Sequence, residues 1–106
     1  NYPATLSNHV LTRILRNQLQ FDGVIISDDM NMKSISDFYG LENAIELAIN
    51  AGVDILMFAN NISYDENIAA KAISIIKQLI NDGKISKERI DESYNRIMKL
   101  KNKVLL

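Results

Sequence analysis

The sequence predicts an α/β fold in which two parallel strands alternate with helices. Two short apolar runs carry this prediction: one over 23–27, which includes Val24, Ile25 and Ile26, and one from Val53 to Phe58. Neither run alternates apolar with polar residues, which is typical of strands covered on both faces, as in a parallel sheet. A helical stripe separates the runs, so we expect a right-handed βαβ unit.

Apolar stripes and capping residues predict the helices. The first helix is predicted over 8–20, after Ser7, whose side-chain oxygen can accept a hydrogen bond from a first-turn N–H. Residues 31–40 are predicted as a loop that includes a helical turn. The next helix begins at Leu41 and ends at Gly52, where the sequence favours a left-handed C-cap.

The rest of the chain predicts two further helices. Residues 63–66 have capping-box spacing, and the stripe behind them ends at Gly83. Ser86 is predicted to cap the last helix, which runs from about Lys87 to Lys101. Four residues of this helix are expected to be buried: Ile90, Tyr94, Ile97 and Met98. The predicted element order is therefore α-β-α-β-α-α.

Composition and charge exclude several classes of protein. The chain has 106 residues, 47% hydrophobic and 24% charged, which suits one small globular domain at most. A net charge of -1 gives no reason to expect a nucleic-acid or anionic-membrane partner. The absence of cysteine excludes disulfides and thiolate metal sites. No apolar run approaches the roughly 20 residues that span a bilayer.

The predicted sheet has too few strands for its composition. A two-stranded parallel sheet cannot cover strands that are apolar on both faces. Further strands must come from a longer parent protein or from another chain. The sequence also opens on Asn1-Tyr2-Pro3 rather than on Met. We therefore expect residues 1–106 to form a single segment of a larger α/β protein.

Asp28 is the main candidate for a functional residue. It follows the first apolar run directly, and sites in α/β folds lie at the carboxyl ends of parallel strands. The alternative is that an acid after a strand only caps a turn. Asp29 would point away from its neighbour and is predicted to be structural. Met30 and Met32 could line an apolar wall beside Asp28, although core packing is the commoner use of methionine.

Other candidates have weaker support. The loop 59–61 follows the second strand and would share the sheet edge with Asp28. His9 is the single histidine and is interpreted as a surface or helix-end residue. The spacing around Asp28 does not fit a calcium-binding EF-hand loop. The four glycines lie far apart, which excludes a glycine-rich phosphate loop.

Three segments resemble the family-three glycoside hydrolases. They are PATLS at 3–7, LTRILRNQLQFDGVIISDDMNM at 11–32 and AINAGVDILMF at 48–58. The likeness is strongest to bacterial β-N-acetylhexosaminidases, which trim N-acetylglucosamine from peptidoglycan fragments. The resemblance implies a (β/α)8 TIM-type barrel, of which this chain would be the C-terminal portion. It also implies that Asp28, after the Ser of the "SD" motif, is the catalytic nucleophile.

The resemblance implies a retaining exo-β-N-acetylglucosaminidase that acts through a covalent glycosyl-enzyme, without metal or organic cofactor. Its acid/base histidine would lie upstream of this segment, so we expect the isolated chain to be inactive. The implied partners are an N-acetylglucosamine-containing glycan and the remainder of the barrel. The alternatives are a β-glucosidase, β-xylosidase or glycoside phosphorylase of the same family, or a non-catalytic half-barrel that associates with itself. The compartment stays open between a cytoplasmic location, which is favoured, and an exported or lipid-anchored parent.

Overall fold

The computed structural model describes residues 7–30, 40–58 and 67–104. Two parallel strands and the helices around them confirm the predicted α/β class. The elements are α1 (His9–Gln18), β1 (Ile26–Asp29), α2 (Leu41–Ala51), β2 (Ile55–Met57), α3 (Ile68–Asn81) and α4 (Lys87–Val104). The predicted loop over 31–40, apart from its last residue, and the capping box at 63–66 lie outside the described residues.

Helix α1 has the predicted position but an unexpected hydrogen-bond pattern. It is a π-helix, and the N–H of Leu19 continues its i→i−5 pattern by donating to the Ile14 carbonyl at 2.9 Å. Ser7 acts as the predicted cap, because its Oγ accepts from the N–H of Val10 at 3.3 Å. π-Helical geometry is rare and leaves no signature in apolar spacing, so the sequence predicted only a helix.

Strand β1 begins and ends later than predicted. The expected bounds, 23–27, are wrong at both ends, since the strand spans Ile26–Asp29. Nη1 of Arg16 donates a hydrogen bond to the carbonyl of Gly23, and the N–H of Ile25 donates to the Asp54 carboxylate at 3.0 Å. Side chains therefore bind the Gly23 carbonyl and the Ile25 N–H, whereas the Ile25 carbonyl still accepts from the N–H groups of Asp54 and Ile55 at 2.9 and 3.1 Å.

Strand β2 is shorter than the predicted run from Val53 to Phe58. It spans only Ile55–Met57. The carbonyl of Val53 accepts a hydrogen bond from Arg89 Nη2 at 2.7 Å, so it is bound by a side chain rather than by a neighbouring strand. The side chain of Asp54 turns into a polar cluster described below. Both observations explain why the apolar run exceeds the strand.

The end of α2 packs closely against α1. Gly52 has a φ of 129°, and its N–H donates to the carbonyls of Ala48 and Ile49. A Cβ at this position would lie 3.2 Å from Oγ1 of Thr12, which itself donates to the Ala51 carbonyl at 2.7 Å. The predicted C-cap glycine is therefore confirmed, and it also allows the two helices to approach.

Helices α3 and α4 form the C-terminal part of the chain. Ser86 is the predicted cap of α4, because its Oγ accepts from the N–H of Arg89 at 3.1 Å. The helix continues to Val104, three residues beyond its predicted end. Tyr94 was expected to be buried, but 61% of its surface is exposed. The prediction is wrong because Tyr94 borders an open groove, so nothing within the described part of the chain covers it.

The hydrophobic core lies where α2 packs on the strands and on α3. Its largest fully buried side chains are Met30, Ile45, Val53, Leu79 and Ile85. None of the helices within the described ranges has the length and apolar composition needed to cross a bilayer.

Candidate active site

The carboxyl end of β1 contains an extra residue relative to β2. Ile26 is paired with Ile55, and Asp29 is paired with Met57. Three steps along β1 therefore correspond to two steps along β2, as in a β-bulge. The backbone of Asp28 lies inside this irregular stretch. Bulges occur beside active sites, where they change the direction of a side chain.

A side chain takes part in the hydrogen bonding at this irregularity. The N–H of Met57 donates to Oγ of Ser27 at 2.9 Å, and Ser27 is only 4% exposed. The carbonyl of Met57 accepts from the N–H of Met30 at 2.8 Å. Both backbone groups of Met57 are thus bound to residues that flank Asp28 and Asp29: Ser27 in β1, and Met30 directly after it.

The structure describes some of the site residues predicted from the sequence, and the others lie outside the described residues. Asp28 lies in β1 near its carboxyl end, as expected from the apolar run before it. Met30 is fully buried in the core. Of the two uses considered for it, core packing and pocket lining, this position corresponds to core packing. Met32 and the loop 59–61 lie outside the described residues. His9 is exposed at the start of α1, which confirms its interpretation as a surface and helix-end residue.

A second acid, Asp54, was not singled out by the sequence. Its side chain is completely buried at the start of β2. Oδ2 accepts from the N–H of Ile25 at 3.0 Å and from Arg16 Nη2 at 2.8 Å. Oδ1 accepts from Oγ of Ser93 at 2.6 Å and from Arg96 Nη1 at 2.9 Å. Four donors therefore meet on one carboxylate: one from α1, two from α4 and one from the residue before β1.

Arg89 completes this arrangement. Its Nε donates to the Ile49 carbonyl and its Nη2 to the Val53 carbonyl, both at 2.7 Å. Its Nη1 donates to Oγ of Ser93 at 2.6 Å. The planar guanidinium suits this forked set of acceptors better than an ammonium would. We refer to the five side chains as the Asp54 cluster: Arg16, Asp54, Arg89, Ser93 and Arg96.

Burial and neighbouring groups both shift the pKa values of Asp54, Arg16 and Arg89. Burial alone would raise the pKa of Asp54, but the hydrogen bonds from Ser93, the Ile25 N–H and Arg96 hold that pKa below its usual range. Burial lowers the pKa of Arg16, as does repulsion from Arg96, and the nearby Asp54 only partly offsets this. Burial also lowers the pKa of Arg89. The carboxylate therefore stays ionised among its cationic neighbours.

The two acids lie at opposite ends of the parallel pair. Asp54 precedes β2, whereas Asp28 lies near the carboxyl end of β1. In barrels of parallel strands, the amino-terminal ends serve stability and the carboxyl ends carry chemistry. Most donors of the Asp54 cluster are directed at the oxygens of Asp54 and Ser93 or at backbone carbonyls, so we interpret it as structural. An acid inside an otherwise apolar strand run was the sequence signal that could have revealed it.

Metal binding finds no support in the described residues. Within 7–30, 40–58 and 67–104, no group of three or more His, Asp or Glu side chains is placed to hold a metal ion.

Comparison with known proteins identifies the class of this chain as glycoside hydrolase. Residues 1–100 match the glycosyl hydrolase family 3 N terminal domain. The chain is 33% identical over 104 residues to beta-hexosaminidase A of Pseudoalteromonas piscicida, which covers 96% of the chain and 17% of that protein. It is 30% identical over 99 residues to a beta-N-acetylglucosaminidase/beta-glucosidase of Cellulomonas fimi, covering 93% of the chain and 16% of that protein.

Solved structures agree with the sequence matches. A family 3 beta-N-acetylglucosaminidase from Paenibacillus sp. str. FPU-7 superposes with a TM-score of 0.85 at 35% identity, over 96% of this chain and 19% of that one. The chain belongs to glycosyl hydrolase family 3, as the three sequence segments predicted. It spans about a fifth or less of the length of these relatives.

Proposed function

We propose that this chain is the segment of a retaining exo-β-N-acetylglucosaminidase that carries the nucleophile, Asp28. The observation that carries the proposal is the position of Asp28 near the carboxyl end of a parallel strand, in a chain of glycosyl hydrolase family 3. Sites of parallel α/β barrels lie at that end of the strands. The names of the Pseudoalteromonas and Paenibacillus relatives support N-acetylhexosamine as the sugar.

The proposed mechanism assigns one covalent step to this chain. The Asp28 carboxylate attacks the anomeric carbon while an acid from elsewhere in the protein protonates the departing oxygen. The conjugate base of that acid then removes a proton from water, and the water displaces Asp28 from the glycosyl-enzyme. Two successive displacements at the anomeric carbon retain its configuration. A nucleophile needs a rigid support, and β1 provides one because it is hydrogen-bonded to β2 and packed by the core. The glycan we propose is a peptidoglycan fragment with a terminal N-acetylglucosamine.

The remainder of the barrel is the proposed structural partner. An apolar groove of about 450 Å³ lies between β2, α3 and α4. The residues that line it include Leu56, Phe58, Ile73, Ile76, Ile90 and Tyr94. Further strands and helices of a longer protein would cover this apolar lining. We therefore propose that residues 1–106 form the C-terminal portion of a barrel, here termed the parent barrel.

Activity measurements test the proposed function directly. The isolated chain should give only background hydrolysis of an aryl β-N-acetylglucosaminide, because loss of an acid/base alone costs on the order of 10²–10⁴-fold. The parent barrel should hydrolyse it, and Asp28→Asn should abolish turnover while Asp29→Asn retains it. Full activity of the Asp28→Asn barrel would overturn the proposal. Proton NMR of the first-formed sugar anomer checks retention.

A β-glucosidase is the second candidate, because the Cellulomonas fimi relative is named for both activities. The ratio of kcat/KM values for aryl N-acetylglucosaminide and aryl glucoside in the parent barrel separates the two. A ratio well below one would favour the glucosidase. The exposed groove also keeps self-association as an alternative for the isolated chain. Light scattering that stays monomeric over a wide concentration range would exclude it.

A further inference from the structure

We propose that the remainder of the parent barrel supplies a second carboxylate, which binds Arg96 in a small cleft at the amino-terminal end of the parallel pair. This inference rests on one part of the proposed function, that the chain is a portion of a barrel, and not on the role of Asp28. Three observations carry it: the charge of the Asp54 cluster, the donors that its arginines leave unused, and the cleft beside Arg96.

The Asp54 cluster contains more positive than negative charge. Nitrogens of Arg16, Arg89 and Arg96 lie 2.8, 3.8 and 2.9 Å from the carboxylate of Asp54. In the same order, these arginine side chains are only 10, 13 and 23% exposed. One carboxylate therefore faces three guanidinium groups that are mostly withdrawn from water. Buried cations are costly without counterions, so a second anion beside them would stabilise the cluster.

The acids that the described residues bring near the cluster do not provide this second anion. Glu92 lies 3.9 Å from Arg89, but 58% of its side chain is exposed. Asp22 is 87% exposed and lies 3.6 Å from Lys99. Ion pairs of such exposed acids contribute little, because water and salt screen them. We therefore expect the balancing charge to come from outside the described part of the chain.

The unused donors indicate which arginine would bind the second anion. All three guanidinium nitrogens of Arg89 donate hydrogen bonds to backbone carbonyls or to a hydroxyl. Nε of Arg16 is buried and has no acceptor among the described residues. Within the same part of the chain, Arg96 donates only through Nη1, to Oδ1 of Asp54, which leaves Nε and Nη2. Arg96 is also the most exposed of the three arginines, so an incoming group can reach it.

Arg96 borders a cleft of about 50 Å³ between residues 22–24 and the last turns of α4. Lys99 and Lys103 line the same cleft, and Asp22 is the acid among its lining residues. A single water molecule needs about 10–15 Å³ of such volume, so the cleft has room for a carboxylate group. Its lining is mainly cationic, which favours an anionic occupant.

A carboxylate from the same protein suits this cleft. The Nε and Nη2 edge of an arginine can bind a carboxylate through two parallel hydrogen bonds. Residues 22–24 precede β1, so the cleft lies at the end of the sheet where the other strands of a parallel barrel would also begin. A carboxylate attached to the same protein is held near the cleft at a high effective concentration.

An acetate titration of the full 106-residue chain tests the anion site. Ionic strength is kept constant with chloride. Acetate should shift the ¹⁵N resonance of Arg96 Nε along a saturable curve. The resonance of the exposed Arg13 on α1 should change only in proportion to the acetate concentration. A shift at Arg96 that does not saturate would overturn the inference.

Two lysine variants place the acetate in the cleft without touching the buried cluster. Lys103→Gln should weaken the acetate affinity about two- to fivefold, because it removes one cation from the cleft lining. Lys101→Gln is the matched control, since Lys101 is exposed on α4 and does not line the cleft. Its acetate affinity should equal that of the unsubstituted chain. Equal affinities of the two variants would contradict the proposed location.

The same titration of the parent barrel identifies the source of the anion. The barrel should show no saturable acetate shift at Arg96, and its crystal structure should place an Asp or Glu oxygen about 3 Å from the Arg96 guanidinium. Saturable acetate binding, or an Arg96 covered without a carboxylate, would refute the inference. Neither readout depends on hydrolysis. Failure of the proposed function appears separately, as activity of the Asp28→Asn barrel.

Discussion

Arg16 Nη2 lies 2.8 Å from Asp54 Oδ2, and the two side chains are almost completely removed from solvent. This ion pair joins α1 to the residue before β2, although the two residues are 38 positions apart in the sequence. Arg96 brings α4 to the same carboxylate. The amino-terminal end of the parallel pair is therefore held by charge as well as by apolar packing.

Removal of the Asp54 charge should strongly destabilise the chain. Asp54→Asn leaves Arg16, Arg89 and Arg96 buried without their shared anion, and breaking a buried ion pair in this way costs about 3–5 kcal/mol. Urea unfolding followed by circular dichroism measures the change. Asp91→Asn on the exposed face of α4 is the control and should change the free energy of unfolding by less than about 0.5 kcal/mol. Equal stabilities of the two variants would refute the structural role.

The Asp54 carboxyl should titrate at lower pH in the folded chain than in the unfolded chain. Its pKa is lowered, so between the folded and unfolded pKa values the unfolded state binds more protons, and stability rises with pH. The contribution is complete above the unfolded value of about 3.9 and is lost as pH falls through the folded pKa. Carbonyl ¹³C NMR of Asp54, with and without urea, measures both values. A folded pKa at or above the unfolded one would contradict the expectation.

Arg89 should not be replaceable by lysine. Its guanidinium serves the carbonyls of Ile49 and Val53 and the hydroxyl of Ser93 from a fixed planar fork. An ammonium cannot reach all three acceptors from one position, so Arg89→Lys should cost about 1.5–3 kcal/mol. Chemical denaturation of this variant is compared with Arg13→Lys, which changes an exposed arginine of α1. A loss no larger than that of the control would show that the fork is dispensable.

Gly52 should tolerate alanine less well than Gly83. Both have positive φ, 129° and 78°, so both substitutions strain the backbone by about 1–2 kcal/mol. At Gly52 the new Cβ would meet Oγ1 of Thr12 at 3.2 Å, whereas at Gly83 no described residue beyond its chain neighbours has an atom within 4 Å. Gly52→Ala should therefore show the larger fall in melting temperature. The same fall in both variants would mean that α1 and α2 adjust without cost.

The sequence predicted the class of fold because local patterns carry that information. Ala44, Ile45 and Ala48 follow a helical stripe, and all three are fully buried in α2. The ends of the strands were not predictable in the same way. The carbonyls of Gly23 and Val53 accept hydrogen bonds from arginine side chains, Arg16 and Arg89, rather than from a neighbouring strand.

The two acids show the same contrast between local and long-range information. Asp28 was placed at a strand end because an apolar run leads directly to it, and its catalytic role stays a prediction. The buried role of Asp54 is not predictable from the sequence, because its partners, Arg16, Ser93 and Arg96, lie on two helices 38 to 42 positions away. Apolar periodicity contains no information on which charges meet across such distances.

The separation of the Asp54 cluster from Asp28 has a practical consequence for protein engineering. Because the parallel pair puts them at opposite ends, substitutions that alter the stability of the Asp54 cluster need not disturb the proposed nucleophile. Libraries directed at the arginines would explore heat resistance, and under the proposed function libraries around the strand-end acid would explore sugar selectivity.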